Sequence, residues 1–405
     1  MPWHGEGASG IAGRAGEATG AVLTDSRSEI TSALKREAGR LGFDLIGACP
    51  AVTPRGISRF HQWLASGYAG EMRYLESRAG AYSHPRHVLD GARSLLMLGM
   101  NYRTVEPQAP SAGQGRVSRY AWGHDYHDLI HDRLRQLADS LLRLAPGART
   151  RGIVDTAPLL EKEFAELAGL GWIGKNTLLL NQELGSWFFL AVLLTDLDLE
   201  YDPPQPQDHC GACRACLDAC PTGAFIEPHV LDSRRCISYL TIELRGPIPR
   251  DLRAGIGDWL LGCDICQHVC PWNHRPSVGN EPAFAPRTGA TVLELGELFQ
   301  LDDAAFRARF RHTPFWRPKR RGVLRNAAIV LGNQRKPEAV PALVRGLGDI
   351  EPIVRGACGW ALGRIGGEAA LDALVARLQQ EHDADVRCEI DAAMAECEAA
   401  GAQGK

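Results

Sequence analysis

The stretch Cys210-Gly-Ala-Cys213-Arg-Ala-Cys216-Leu-Asp-Ala-Cys220-Pro221 carries four cysteines at the spacing C-x2-C-x2-C-x3-C-P. Gaps of two residues let three thiolates wrap one iron-sulfur cube while nearby amides hydrogen-bond to its sulfides, and the fourth thiolate points to a neighbouring cube. Downstream, Cys263-Asp-Ile-Cys266-Gln-His-Val-Cys270-Pro271 repeats the end of that pattern, with the cysteine that would precede it displaced to Cys236. Eight thiolates suit two 4Fe-4S clusters. By the crossed spacing of two-cluster ferredoxins, Cys210, Cys213, Cys216 and Cys270 hold one, and Cys220, Cys236, Cys263 and Cys266 the other. A zinc ribbon favours two separated C-x2-C pairs and has no use for the trailing Cys-Pro. Adjacent clusters conduct single electrons, which fits an oxygen-sensitive electron carrier, a reductase or a radical enzyme.

Around this module, 405 residues with 45% hydrophobic content predict two or three domains. A net charge of -3 gives no global attraction to nucleic acid or an anionic membrane, so such a partner needs a local basic patch. The longest apolar runs, such as 187–194, fall short of the roughly twenty residues that span a bilayer, so no membrane partner is expected. Residues 1–25 are rich in Gly and Ala but include Glu6, Arg14 and Glu17 and lack the apolar block of a secretory signal; they read as a disordered extension or an overlong start. Cysteines at ligand spacing point to the reducing cytoplasm.

Upstream, residues 26–200 alternate helical patterns (29–41, 125–144, 158–168) with strand patterns (44–48, 94–101, 152–155, 177–180, 187–194), predicting an α/β domain. Three prolines between Tyr201 and Asp208 make a linker, and the cysteine module is expected over 205–286. Over 290–400, Leu324-Arg-Asn-Ala-Ala is echoed by Val354-Arg-Gly-Ala-Cys, and Pro341-Ala-Leu-Val-Arg-Gly-Leu by Asp372-Ala-Leu-Val-Ala-Arg-Leu. That echo predicts HEAT-like α-helical hairpins, with Gly332 and Gly363 closing the first helix of each unit and Cys358, Cys388 and Cys397 without a role. No Gly-x-Gly-x-x-Gly turn follows a strand, so NAD is not the obvious acceptor. Asp125-Tyr-His127 begins the Asp-x-His-x-x-Gly signature of His-on cobalamin enzymes, but no glycine completes it. Between Ala304 and Pro337 stand ten Lys or Arg and no Asp or Glu, beside Phe315 and Trp316. A charge run is usually a solvated face, but basic residues with aromatics also suit an RNA backbone.

Three further motifs, Ser118-Arg-Tyr-Ala-Trp-Gly-His-Asp-Tyr-His127, Val154-Asp-Thr-Ala-Pro-Leu-Leu-Glu161 and Gly171-Trp-Ile-Gly-Lys-Asn-Thr177, join the split cysteines and the helical tail in one order. In this combination the chain resembles the epoxyqueuosine reductases, cobalamin-dependent iron-sulfur enzymes of tRNA modification, over roughly residues 28–330. Family members more often carry Arg or another polar residue where Trp122 stands. The resemblance implies a monomer that binds base-off cobalamin over the α/β domain. Fed by the clusters and an external low-potential electron donor, it would reduce epoxyqueuosine to queuosine at the wobble position of tRNA.

It also implies cobalamin contacts at Arg78, Ser118, Tyr120, Asp155, Gly174, Lys175, Asn176, Thr177, Ser238, Asp264 and Ile265. tRNA contacts are implied at Lys162, Arg245, Arg317, Lys319, Arg320, Arg321 and Arg325. Asp155 matches the family's proton donor, whereas residue chemistry alone allows it to cap the helix that follows. A dicluster electron carrier would bind no corrinoid. A reductive dehalogenase-like enzyme would act on small molecules and have no use for a basic tail, and a scaffold would carry redox-inert clusters.

Overall fold

The structure, a computed structural model, describes residues 27–204, 208–274, 276–287 and 289–403, so the extension expected at 1–25 lies outside the described residues. Its first sheet is built from β1 (Leu45–Pro50), β2 (Ser94–Asn101), β3 (Thr150–Ile153) and β4 (Phe188–Thr195), in the order β1-β2-β4-β3. All eight residues of β2 are buried, because the sheet is covered on both faces. Alternate residues Leu96, Leu98 and Leu193 pack under α1 (Arg27–Arg40) and α2 (Tyr126–Leu144), and Leu95, Met97 and Val192 under α3 (Glu161–Leu167). Such unbroken apolar runs are typical of parallel α/β sheets. Here every pairing is antiparallel, which corrects the expected α/β pattern while keeping its covering helices.

Two expected strands are shorter than their sequence pattern. Asp155 has φ 42 and Thr177 φ 64, left-handed values that a strand cannot continue through. The first sheet therefore stops at Ile153, and the second strand shrinks to Leu179–Leu180, paired with Trp172–Ile173 in a small hairpin.

A second sheet joins the three expected units. Strand Gln114–Val117 pairs in parallel with Trp259–Leu261 of the cysteine module and antiparallel with Val292–Glu294 before the tail. One hydrophobic core runs from Trp122 through Leu240, Leu260 and Leu295 to Leu324, Trp360 and Ile390. The boundaries expected near 205 and 290 thus mark changes of motif within a shared core. Trp122 is 1% exposed, and its indole N–H donates to the Val117 carbonyl at 2.8 Å, so the departure at this position fills core volume.

The tail consists of α4 (Lys319–Gln334), α5 (Val340–Leu347), α6 (Pro352–Ile365), α7 (Glu368–Leu378) and α8 (Ala384–Gln403). Gly332 and Gly363 do not close helices, as the sequence reading expected, but lie inside α4 and α6. A Cβ on Gly332 would stand 2.6 Å from the Trp360 ring, and one on Gly363 would stand 2.7 Å from the Ala393 backbone. The repeated glycine therefore lets each helix approach its counterpart in the next unit. No helix among the described residues is long and apolar enough to cross a membrane.

Gly332→Ala should lower stability relative to Gly296→Ala, whose added Cβ meets nothing nearer than Ala342 at 3.7 Å. Both substitutions gain helix propensity, so the difference isolates the clash, worth about 1–3 kcal/mol. Thermal unfolding midpoints of the two variants check it; equal midpoints would show that the helices adjust without cost.

Candidate active site

Asp155 sits on the loop between β3 and α3, with both carboxylate oxygens engaged. Oδ1 lies 2.9 Å from Nε2 of His127, and Oδ2 accepts from the Tyr126 hydroxyl. On its other side the His127 ring places Nδ1 2.7 Å from Asp125 Oδ1. That carboxylate also caps α2 by accepting the His127 backbone N–H at 3.1 Å. Tyr126 stacks between His127 and Phe189, with ring centroids 4.1 and 4.0 Å away. Burial disfavours charge on His127, but the hydrogen bonds and negative charges of Asp125 and Asp155 override it and push its pKa up to about 10. Asp155 does not cap α3, which begins only at Glu161 and has no side-chain cap. The capping alternative is thereby removed.

Two cavities meet at this carboxylate. The first, about 560 Å³, is largely apolar and lined by Leu159, Leu179, Phe188 and Leu190, with Glu161, Lys162 and Gln267 among its polar groups. The second, about 620 Å³, is bounded by Tyr74, Arg78, His127, Thr156, Trp316 and Arg317. Tyr120, Tyr126 and Asp155 belong to both walls. In the first cavity Glu161 is half-buried, and its Oε1 has no hydrogen-bond partner. Burial, then the negative charge of Asp155, pushes its carboxyl up to about 8.

The cysteines form two groups. Cys210, Cys213, Cys216 and Cys270 line one cavity of about 250 Å³ with Lys175, Asn176 and Trp272. Burial raises the Cys263 thiol foremost, with Cys236 and Cys220 near enough to raise it further, and Cys266 is raised by burial and by Cys263 and Cys236. Among the described residues, no three His, Cys, Asp or Glu side chains converge on a position for a single metal ion. Four thiols spread around a cavity instead suit a ligand of several atoms. Between this module and the first sheet, Gln267 donates to Ser186 Oγ at 3.0 Å and to the Tyr102 hydroxyl at 3.3 Å. Asn273 donates to the same Ser186 Oγ at 2.9 Å. Sequence reasoning missed Gln267, Ser186 and Tyr102, although the position of Gln267 beside Cys266 was a signal.

The residues singled out by resemblance are divided between these places. Of the turn Gly174 to Thr177, only Thr177 lines the first cavity. Lys175 donates to the carbonyls of Gly211 and Cys213, and buried Asn176 accepts from Leu178 N at 3.2 Å, so both serve the cysteine loop and their own turn. Gly174 packs on Leu180. Ser118 and Asp264 are buried and bonded to each other, and Asp264 also accepts the Arg119 N–H at 2.8 Å. Neither lines the two cavities that meet at Asp155; their polar atoms are spent on fixing the turn that carries Tyr120. Ser238 and Ile265 follow Cys236 and Cys263 at helix starts and are not among the residues that line the first cavity. Arg78 borders the second cavity and donates to the Thr156 carbonyl at 3.2 Å.

The basic segment also divides. Arg325 is 1% exposed and donates to the carbonyls of Leu240, Leu244 and Gly246, so it is a buried structural cation that RNA cannot reach. Arg320 is mostly buried, held by Asp349 and the Leu301 carbonyl, and is likewise removed from the candidate RNA contacts. Lys319, Arg317 and Arg321 are exposed, with Lys319 3.6 Å above the Trp316 ring and Arg317 paired with Glu243. Half-buried Arg245 donates to the Arg317 carbonyl at 2.8 Å. Lys162 lies apart from this group, on the first cavity, donating to the Thr177 carbonyl at 2.6 Å.

Residues 83–156 match the family described as epoxyqueuosine reductase QueG, DUF1730. Residues 209–273 match the 4Fe-4S double cluster binding domain, and 319–395 match HEAT repeats. An epoxyqueuosine reductase of Pseudomonas aeruginosa is 41% identical over 84% of this chain and 95% of its own length. The Escherichia coli enzyme of that name is 37% identical over 83% of this chain and 89% of its own. A crystal structure of epoxyqueuosine reductase with an epoxyqueuosine-modified tRNA-Tyr stem loop superposes with a TM-score of 0.86 at 32% identity, covering 91% of this chain and 99% of that one.

Glu161 yields a prediction in pH. Its carboxyl keeps its proton to about pH 8 in the folded protein, against the ordinary glutamate value of 4.5, so between those values the folded state binds more protons than the unfolded state. Stability should therefore fall as pH rises through that window and level off above it. Glu161→Gln should remove this slope, as read from denaturant midpoints across the window. An identical slope in both proteins would mean that Glu161 ionises freely.

Proposed function

The chain belongs to the epoxyqueuosine reductase family, and on that footing we propose that it removes the epoxide oxygen of epoxyqueuosine in tRNA, giving queuosine, with Asp155 as proton donor. The observation that carries this reading is the place of Asp155 on the shared wall of two unlike cavities. The largely apolar cavity suits the face of a corrin ring, with Thr177, Lys162 and Gln267 available to its amide side chains. When bound there, base-off cobalamin supplies a two-electron reductant at the Co(I) level. The second cavity, lined by Tyr74, Arg78, Trp316 and Arg317, suits an unstacked nucleoside.

Cys210, Cys213, Cys216 and Cys270 would hold one 4Fe-4S cluster, and Cys220, Cys236, Cys263 and Cys266 the other. The common cavity of the first four and the mutual proximity of Cys220, Cys236, Cys263 and Cys266 support that division. Cys266 adjoins Gln267 and lies near enough to Lys162 to act on its charge, and both line the first cavity, so the second cluster would be the one to feed a corrin held there. Lys175 ties the turn that ends at Thr177 to the loop of Cys213, keeping the cluster cavity and the first cavity in fixed relation. Asp155, exposed to the substrate side yet anchored by Tyr126 and His127, delivers a proton to the oxygen as its bond to carbon breaks.

The test is turnover of epoxyqueuosine-containing tRNA by anaerobically reconstituted protein with cobalamin and a strong reductant, with nucleosides analysed by mass spectrometry. Asp155→Asn keeps shape and hydrogen bonding but has no acidic proton, so turnover should fall by about a hundredfold or more. Turnover within a factor of a few of wild type would remove Asp155 from the mechanism.

For RNA binding, the exposed pair Lys319 and Arg321 replaces the buried arginines as the positions to neutralise. The double alanine variant should bind tRNA more weakly and lower the slope of log affinity against log salt by about 1.5, as two lost phosphate contacts require. Wild-type affinity at every salt concentration would reduce this segment to a solvated face.

A further inference from the structure

Taking an epoxide oxygen off as water breaks two C–O bonds, forms a C=C bond, and consumes two electrons and two protons. The electrons come from the external low-potential donor by way of the clusters. One carboxyl group carries one proton, so Asp155 must be recharged once within each turnover. The His127 ring stands behind it with both nitrogens facing carboxylates, Nε2 2.9 Å from Asp155 and Nδ1 2.7 Å from Asp125. A ring that satisfies two carboxylate acceptors at once must donate from both nitrogens, which only the imidazolium does.

We propose that His127 is the proton reserve of this site, a positioning residue that holds a proton against Asp155 Oδ1 and recharges that carboxyl between the two proton transfers of each turnover. The inference rests on the reductase reading given above. The first proton goes to the oxygen from Asp155 in its acid form, whose Oδ1 still accepts from His127, as one C–O bond opens and leaves a hydroxyl. His127 then passes its Nε2 proton to Asp155. The second proton goes from Asp155 to the hydroxyl as the other C–O bond breaks and water departs. The neutral imidazole regains a proton from solvent, which reaches its side chain, 32% exposed.

The surroundings favour that charge. Asp125 and Asp155 contact the ring directly and Tyr126 stacks on it. His131, further along α2, has its own pKa lowered, by burial and then by the charge of His127, and so is kept from competing for the proton. Glu161 and His312 face the group at longer range through Asp155 and Asp125. The raised pKa keeps the reserve loaded at neutral pH, and it empties only as pH rises through about 10.

The test is the pH profile of single turnover by holoenzyme carrying clusters and cobalamin, on epoxyqueuosine-containing tRNA. Wild type should hold its rate until an alkaline limb near pH 10. His127→Gln keeps a polar partner for Asp155 but has no proton to pass. Its rate should fall by about tenfold to a hundredfold at neutral pH, with the limb moved to lower pH. Asp125→Asn caps α2 as well as Asp does but withdraws one of the two carboxylates, so its limb should move part of the way. If His127→Gln turns over at the wild-type rate with an unmoved limb while Asp155→Asn is inactive, the reserve is refuted and the assignment of Asp155 stands. A silent Asp155→Asn would overturn both. If His127→Gln loses its cluster or cobalamin absorbance, Asp125→Asn decides, and an unmoved limb there refutes the proposal.

Discussion

The pairing of strand Gln114–Val117 with partners on both sides is the constraint on which the rest of the molecule depends. On one edge it meets the cysteine module and on the other the segment leading into the tail, and it runs directly into the turn that carries Tyr120 and on to Asp125, Tyr126 and His127. An electron path, a proton path and a docking surface are useful together only if their spacing is fixed. Separate domains on linkers would let that spacing drift, whereas one core from Trp122 to Ile390 does not. Buried Asp264 adds a polar lock at the same junction, bonding the Ser118 hydroxyl and the Arg119 N–H from within the cysteine motif.

A second lock joins the cysteine module to the first sheet. Gln267, Asn273 and Ser186 are all buried, and groups of this kind are costly unless their hydrogen bonds are made. Here they bond one another: Asn273 accepts from Ser186 N at 2.8 Å and donates to the Gln267 carbonyl at 2.8 Å. A shift between the module and the start of β4 would break several of these bonds at once. Cooperative networks of this type specify one geometry more sharply than apolar packing does.

The cysteine groups were legible in the sequence because their spacing is mostly local and the chemistry of a cube restricts it. Strand Gln114–Val117 was not. Its partners are remote in sequence, and a run of four residues containing Gln, Gly and Arg has no strand pattern of its own. The tail shows the same limit. Ten basic residues mark a segment but not its depth: α4 is buried on all sides from Gly322 to Gly332, Arg325 included, whereas Arg321 stands exposed on its first turn. Asp155 was legible as a residue worth weighing. Its partner His127 was read as part of an incomplete cobalamin signature and of a family motif, not as a partner of Asp155, since nothing local shows that the loop after β3 returns to the first turn of α2.

Asp155 satisfies two demands that no other residue type meets together. The loop after β3 needs a left-handed residue, φ 42, to turn the chain between the two cavities, and among residues with a Cβ, Asn and Asp enter that region most readily. A glycine would adopt it freely but leave His127 and Tyr126 without their acceptor. Asn would adopt it and keep hydrogen bonding, yet could neither balance the charge of His127 nor carry a proton. Holding a residue with a side chain in this region costs on the order of 1–3 kcal/mol, and such strain persists only where the surroundings over-determine it. Here they do: a hydroxyl and an imidazole ring, both fixed by the capped start of α2, hold the carboxylate from one side and leave its other face open to both cavities.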